Sequence, residues 1–515
     1  VIAPQRPQRI EYRNDAPNSF VGRHSSVSAG EETGMGRIWG GLIVVLLLPT
    51  TSWGQADRYE LGQRLRIFEA EWMVTTSAEA RARTVPPLKK TIEAFFTARV
   101  GEVARQLDLA RAALRGPAAS PAQQWAESLA IELNARLFDT GHKSELLVKL
   151  RPYYDSKQEL PVGVSVRCRL APVTGDDGPW TALPLAAVPA QIRLFPQPKT
   201  SGDWVVTVEI IHAGQVLAQR TQTVSLLAGW TERLQAVRQT LDQLPADGPR
   251  TTDRTTLKLV LNLLETLYDG GQYETDYPAF QLLRQAEELA AHLKQGKAFY
   301  RPTLAGQFWL GLPTSNTGTS VVRLLVPDKL DATQKVPLVI ALHGAGGSEN
   351  MFFEGYGAGV MVSECRQRGW LLAAPRAGTF INAAPVAAVV DELAKIYPVD
   401  PQRVYLVGHS MGAAQTIAAL QAAPGKYTAA AALGGGGGVR KPETFKGVPL
   451  FVGVGTEDFA LSGARSLAKA VEKVEGARVT LKEYPQVEHL MIVPIALKEV
   501  FAFFEQARNA AATKP

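Results

Sequence analysis

The residues best suited to chemistry lie in Val404–Gly412, which reads V-Y-L-V-G-H-S-M-G. A serine hydroxyl attacks a carbonyl carbon efficiently only when a neighbouring base takes its proton, so it must sit where a base can reach it. Gly408-His409-Ser410-Met411-Gly412 fits G-x-S-x-G, the pattern of a sharp strand-to-helix turn that lifts a serine clear of a sheet. The small residues Gly408 and Gly412 allow the backbone to fold that tightly. Five such residues recur by chance in long chains, and the context is what gives them meaning. Apolar Val404–Val407 predicts a short buried strand, and Ala413–Ala423 continues as a helix-forming run. The chemistry implied is nucleophilic attack through a covalent intermediate. Gly434–Gly438 also follows a predicted strand, but it lacks the Gly-Lys-Ser/Thr ending of a nucleotide loop. It is read as close packing at the rim of the site.

The elements that must position Ser410 begin near Pro302. From there strand and helix patterns alternate, the mark of a largely parallel sheet with helices on both faces. Strands are predicted at Val321–Val326, Pro337–Leu342, Leu371–Ala374, Ala429–Leu433, Leu450–Val454 and Val479–Tyr484, besides the one before Ser410. Helices are predicted at Val386–Ile396, Ala464–Val474 and Pro494–Ala507.

A chain of 515 residues is too long for one ordinary core, and two or three domains are expected. Hydrophobic content of 46% and charged content of 20% describe a globular protein. A formal charge of +6 with no long basic run implies no nucleic-acid partner. The two cysteines, Cys168 and Cys365, fall in different regions, so neither a disulfide nor a cysteine metal site is expected. Both read as buried small hydrophobes, and no metal or cofactor is called for.

Residues 1–34 are polar and read as an over-extended gene start. At Met35-Gly36-Arg37 the character changes, and Ile38–Leu48 is an apolar run of 11 residues that ends toward Gly54-Gln55-Ala56. That is the layout of a signal peptide over 35–56, and the run is short for a membrane span, which needs about 20 residues. Secretion or a periplasmic location follows as an expectation, with no stable membrane insertion after cleavage; an uncleaved N-terminal anchor is the alternative. Residues 57–150 carry a helical period, including Leu61, Leu65, Phe68 and Trp72, and Ile92, Phe95, Phe96, Val100, Val103 and Leu107. Pro86-Pro87 and Gly116-Pro117 are expected to break this run. Over 151–227 the period changes to two, with a turn at His212-Ala213-Gly214-Gln215, and a small β-sandwich is expected. Trp180 and Trp204 are placed in its core rather than on a sugar platform. Helical pattern returns over 228–301 as a helical region or linker around a loop at 247–250.

Residues 302–510 resemble an α/β-hydrolase, a doubly wound and mainly parallel sheet. They are most similar to secreted polyhydroxybutyrate depolymerases and feruloyl esterases, and in compactness to dienelactone hydrolase, which uses cysteine where this chain has Ser410. Val399-Asp400-Pro401-Gln402-Arg403-Val404-Tyr405 leading into the elbow carries the likeness. The G-H-S-M-G elbow is closer to that of general esterases.

The resemblance implies the chain order nucleophile, acid, histidine. After Ser410 the sequence holds one histidine, His489, and between the two lies one aspartate, Asp458. Both follow predicted strand ends, where open α/β sheets build their sites. His489 is then the base that also protonates the leaving group, and Asp458 orients the imidazole. Glu457 replaces Asp458 only if its loop rotates, and Glu488 points away from an extended loop. One oxyanion donor is the Met411 amide; by resemblance the other is Ala345, with Gly346 as the alternative, in His343-Gly344-Ala345-Gly346-Gly347. His343 and His409 belong to turn motifs and are not bases; His343 is expected to brace its loop. Phe352, Phe353, Tyr356 and Phe380 are expected to line an acyl or aromatic pocket. The reading is a serine esterase acting on a small or polymeric ester. A prolyl-oligopeptidase-like peptidase and a non-catalytic polymer-binding or cell-surface protein are the alternatives.

Overall fold

The computed structural model describes residues 55–116, 119–175, 178–197, 200–245, 251–271, 273–314, 318–328, 330–376 and 384–512. The expected gene start at 1–34, the signal peptide at 35–56 apart from Gln55 and Ala56, the loop at 247–250, Pro117 and Phe380 lie outside them. Among the described residues no helix is long and apolar enough to cross a membrane.

The helices α1 (Gln55–Val74), α2 (Ala78–Phe96), α3 (Val100–Arg115) and the short α4 (Pro121–Glu127) come first. The Ser77 side chain caps α2 by accepting the Ala80 amide. Pro86 and Pro87 do not break α2; both lie inside it. A proline in a helix interior costs about 3 kcal/mol. Here the buried stripe of Ala80, Thr84, Leu88, Thr91 and Ala94 opposes that cost. The chain turns instead at Thr97–Arg99, with Ala98 at φ 55°.

Strand structure begins earlier than the expected boundary at 151. The strands are β1 (Leu129–Leu133), β2 (Leu137–Asp139), β3 (Leu146–Pro152), β4 (Ser165–Pro172), β5 (Thr181–Pro184), β6 (Ala190–Leu194), β7 (Gly202–His212) and β8 (Gln215–Leu227). The helical reading of 57–150 therefore fails after Ser128. β1 is nearly all buried and β3 alternates buried with more exposed positions, as strands do. A three-stranded sheet, β1-β3-β6, faces a five-stranded one, β2-β8-β7-β4-β5. Ile131, Val148, Cys168, Val208 and Val224 share the core between them. Neither tryptophan is fully buried: Trp204 packs at the core's edge, and Trp180 lies beneath the Arg167 and Arg169 guanidinium groups, at 4.4 and 4.7 Å.

Three helices follow, α5 (Trp230–Gln243), α6 (Thr251–Tyr268) and α7 (Ala279–Lys294). They are not a linker. Leu257, Leu261, Leu264 and Leu283 share one core with Leu310, Leu324, Ile340 and Leu406 of the sheet that comes next.

That sheet has eight strands: β9 (Gly306–Thr314), β10 (Gly318–Val326), β11 (Val336–Leu342), β12 (Leu371–Pro375), β13 (Val399–His409), β14 (Ala429–Leu433), β15 (Leu450–Gly455) and β16 (Val479–Tyr484). Between them run α8 (Met351–Glu354), α9 (Val360–Arg368), α10 (Ala384–Ala394), α11 (Met411–Ala422) and α12 (Leu461–Glu472), and α13 (Ile492–Ala512) closes the chain. The order is β16-β15-β14-β13-β11-β12-β10-β9, with β10 antiparallel to both neighbours and β11 through β16 parallel. Alternate residues face opposite layers: Leu338, Ile340 and Leu406 meet one core, Val339, Ala341 and Tyr405 the other.

The first helices are joined to the rest by a buried charge network. Arg64 pairs with Glu60 and Asp108 and donates to the Glu127 and Leu129 carbonyls, while Arg220 reaches the same two carbonyls from β8. Their apolar core holds Phe68, Trp72, Leu88 and Leu107, and also Met491 from the loop before α13. Phe68→Ala is expected to lower stability by about 3–5 kcal/mol in chemical denaturation. Because Met491 shares that core, the change should also loosen the loop before α13.

Candidate active site

Ser410 stands between β13 and α11 at φ 56° and ψ −115°, a strained setting for a residue with a side chain. The flanking glycines are required by contact. A Cβ on Gly412 would sit 2.0 Å from the Leu342 carbonyl oxygen, and one on Gly408 2.0 Å from that of Gly412. The turn brings the Ser410 Oγ to 2.9 Å from His489 Nε2, and His489 Nδ1 lies 2.9 Å from Asp458 Oδ1. A carboxylate only accepts, so Nδ1 carries the proton and Nε2 is left to accept from the serine. Asp458 and His489 are buried, and Asp458 Oδ1 also accepts the Ala460 amide at 2.8 Å. Gly434, at φ 56°, leaves room here, since a Cβ would lie 3.0 Å from Asp458 Oδ2. The structure thus brings together the three residues singled out in the sequence. Glu457 turns outward to Lys89, at 3.0 Å.

Gly344 puts the loop after β11 against the nucleophile: a Cβ there would be 3.3 Å from that of Ser410. The Met411 amide, at the start of α11, and the Ala345 amide, on an exposed turn, have no hydrogen-bond acceptor among the described residues. Two such donors beside a serine can hold the negative oxygen of a tetrahedral intermediate. The amide of Gly346, the alternative donor, likewise has no acceptor among the described residues; its carbonyl accepts from Arg58 at 3.0 Å, and at φ 76° a Cβ would meet the Phe95 ring at 2.7 Å. Among the described residues no cluster of His, Cys, Asp and Glu could hold a metal ion.

An eight-stranded sheet with its second strand reversed, a serine on the tight turn after the fifth, and acid and histidine on later loops decide the architecture. The fold is that of an α/β-hydrolase. No protein-family model matches the sequence, and no curated protein matches it significantly. Solved structures similar to it include a fluorophosphonate-binding serine hydrolase of Staphylococcus aureus, 12% identical with a TM-score of 0.33, matching 39% of this chain and 98% of the other. A feruloyl esterase module from Clostridium thermocellum complexed with sinapinate is 14% identical, with a TM-score of 0.33 and coverage of 40% and 88%. A thermostable esterase is 18% identical, with a TM-score of 0.35 and coverage of 74% and 99%.

Within this hydrolase fold His409 and His343 are positioning groups. His409 Nε2 lies 3.0 Å from the His489 carbonyl, which fixes its proton there; Nδ1 then accepts from the Tyr356 hydroxyl at 2.9 Å. The same hydroxyl accepts the Gly344 amide at 3.1 Å. One side chain therefore ties together the oxyanion loop, the elbow and the histidine loop. Burial, with His489 nearby, pushes His409 well below the ordinary imidazole range and keeps it neutral. His343 Nδ1 bonds the Gly344 carbonyl at 2.8 Å, bracing its loop.

The expected aromatic pocket is not where the sequence reading put it. Phe352, Phe353 and Tyr356 are buried in the sheet's core, because α8 and the turn after it fold inward. The aromatic rings near His489 are Phe459 and, beyond it, Phe96. Phe459 follows the acid directly, a local signal that could have been read; nothing local marks Phe96.

Glu488 also departs from expectation. It folds back to accept the Leu490 and Met491 amides at 2.9 and 3.0 Å, and burial pushes its carboxyl up to about 8. Glu69 of α1 is likewise raised to about 8 by burial, opposed by the Gly357 and Tyr356 amides and Arg66 and reinforced by Glu488.

Tyr356→Phe leaves the Gly344 amide and His409 Nδ1 without the hydroxyl, and is expected to cost about 1–3 kcal/mol in thermal unfolding. Turnover should fall as well. A carboxyl raised by folding contributes stability that is complete below its ordinary range and lost as pH rises through about 8. Unfolding free energy should therefore decline from about pH 5 to 8, and Glu69→Gln should flatten that slope, read by denaturation at a series of pH values.

Proposed function

We propose that this chain is a serine hydrolase of carboxylic esters working through an acyl-enzyme. The observation that supports this most directly is the line of hydrogen bonds from Ser410 through His489 to Asp458, at 2.9 Å each. In this reading His489 Nε2 takes the Ser410 proton as Oγ attacks the ester carbonyl. The Met411 and Ala345 amides hold the resulting oxyanion. When the intermediate collapses, the carbon–alkoxy bond breaks and His489 returns the proton to the departing alcohol. Water, activated by the same imidazole, then releases the acid and restores the hydroxyl. Asp458 holds the imidazole tautomer and steadies the imidazolium.

An ester is favoured over a peptide because the β structure before the sheet is a two-sheet sandwich, not a propeller of repeated blades. Export is part of the proposal and is supported by the basic-then-apolar sequence over 35–56.

Ser410→Ala is expected to reduce ester turnover at least about ten-thousandfold and to abolish labelling by a fluorophosphonate. Activity near that of the parent chain would overturn the assignment.

A further inference from the structure

The helical region reaches His489 through one intervening ring. Phe96, the last residue of α2, meets the Phe459 ring edge-on at 5.8 Å, and Phe459 leans over the His489 imidazole at 4.4 Å between centroids. Phe95 stands beside Phe96 at 5.5 Å and also covers Gly346 of the oxyanion loop. The Lys89–Glu457 pair, at 3.0 Å, holds the same helix to the acid loop. Yet the shelf is open: Phe459 is 58% exposed and Phe96 only half-buried. A large ring left facing water beside a reactive imidazole is a surface suited to an apolar ligand group.

We infer that Phe459 and Phe96 form the subsite for the leaving alcohol, and that the preferred substrates are esters of apolar, ring-bearing alcohols. This rests on the serine-esterase reading above. During acylation the bond from Ser410 Oγ to the carbonyl carbon forms and the carbon–alkoxy bond breaks. The serine proton passes to His489 Nε2 and then to the alkoxy oxygen, so that oxygen must lie within hydrogen-bond reach of Nε2. Whatever it carries leaves alongside the imidazole and meets Phe459 first and Phe96 next. The acyl group, held by the oxyanion donors, lies on the other side of the reacting carbon. Half of this subsite therefore comes from α2, more than 300 residues before the nucleophile in the chain (410 − 96 = 314).

The test compares benzyl acetate with ethyl acetate, which pass through the same acetyl-enzyme, in the full chain and in Phe459→Ala, Phe96→Ala and Phe459→Tyr. Each alanine variant is expected to lower kcat/KM for the benzyl ester about tenfold while the ethyl ester changes less than about threefold. Phe459→Tyr should retain the preference. Rings that merely steady His489 would lower both esters alike or move the pH profile, and that result overturns the subsite. Fluorophosphonate labelling of Ser410 in the same preparations separates the two levels. A labelled parent chain whose alanine variants show no selective loss overturns the subsite alone, whereas an unlabelled parent overturns the esterase reading and the subsite together. Phe459 is mostly exposed, so its alanine variant decides the matter even if Phe96→Ala fails to fold.

Discussion

The loop carrying His489 is held from three directions, and the rest of the site depends on that. Its backbone carbonyl receives the His409 Nε2 proton at 3.0 Å. The neighbouring Glu488 accepts the two amides that follow, and Met491 is sunk into the core of the first helices. A general base is useful only when it is held within about 0.5 Å of its working position. An imidazole on a long loop would not meet that limit without such anchors. His409 serves because burial keeps it neutral; a second cation at that point would oppose the charge His489 acquires in the proposed reaction.

The anchoring also explains why the helices before the sheet cannot be treated as an attachment. Arg58 grips the oxyanion loop, Glu69 receives the turn that carries Tyr356, and Val487 and Leu490 pack with Met491 against the same apolar core. Four consecutive residues, 356–359, take positive φ, a local cost that lets the Tyr356 hydroxyl stand between Gly344 and His409. The buried Arg64 network, in turn, joins these helices to the sandwich. A charge of that kind is tolerated only when fully paired, and here its partners come from both regions.

Much of the catalytic layer was legible because its signals are local. G-x-S-x-G between a strand and a helix, the run His343–Gly347 after a strand, and the alternation of strand and helix over 302–510 are all written in contiguous residues. Given the order nucleophile, acid, histidine that the resemblance implies, the scarcity of histidine and aspartate after Ser410 pointed to His489 and favoured Asp458 over Glu457, and those side chains lie within hydrogen-bond distance. Local reading failed where packing outweighed propensity. Two prolines stay inside α2 because its other face is buried, and the strands from Leu129 onward were hidden in a helical count.

What the sequence determined by itself, then, is the elbow serine and the sheet's strands from β10 to β16, since each follows from short-range pattern; β9 (Gly306–Thr314) lay outside that pattern, and the order of the groups around the serine came from the resemblance. Which aromatic rings border the imidazole was decided only in three dimensions. Phe352 and Phe353, near the oxyanion loop in sequence, turn into the core, while Phe96, from a distant helix, comes to stand beside Phe459. Apolar burial is non-directional and carries no record of its partner in either segment, so that pairing exists only once the helices have packed against the histidine loop.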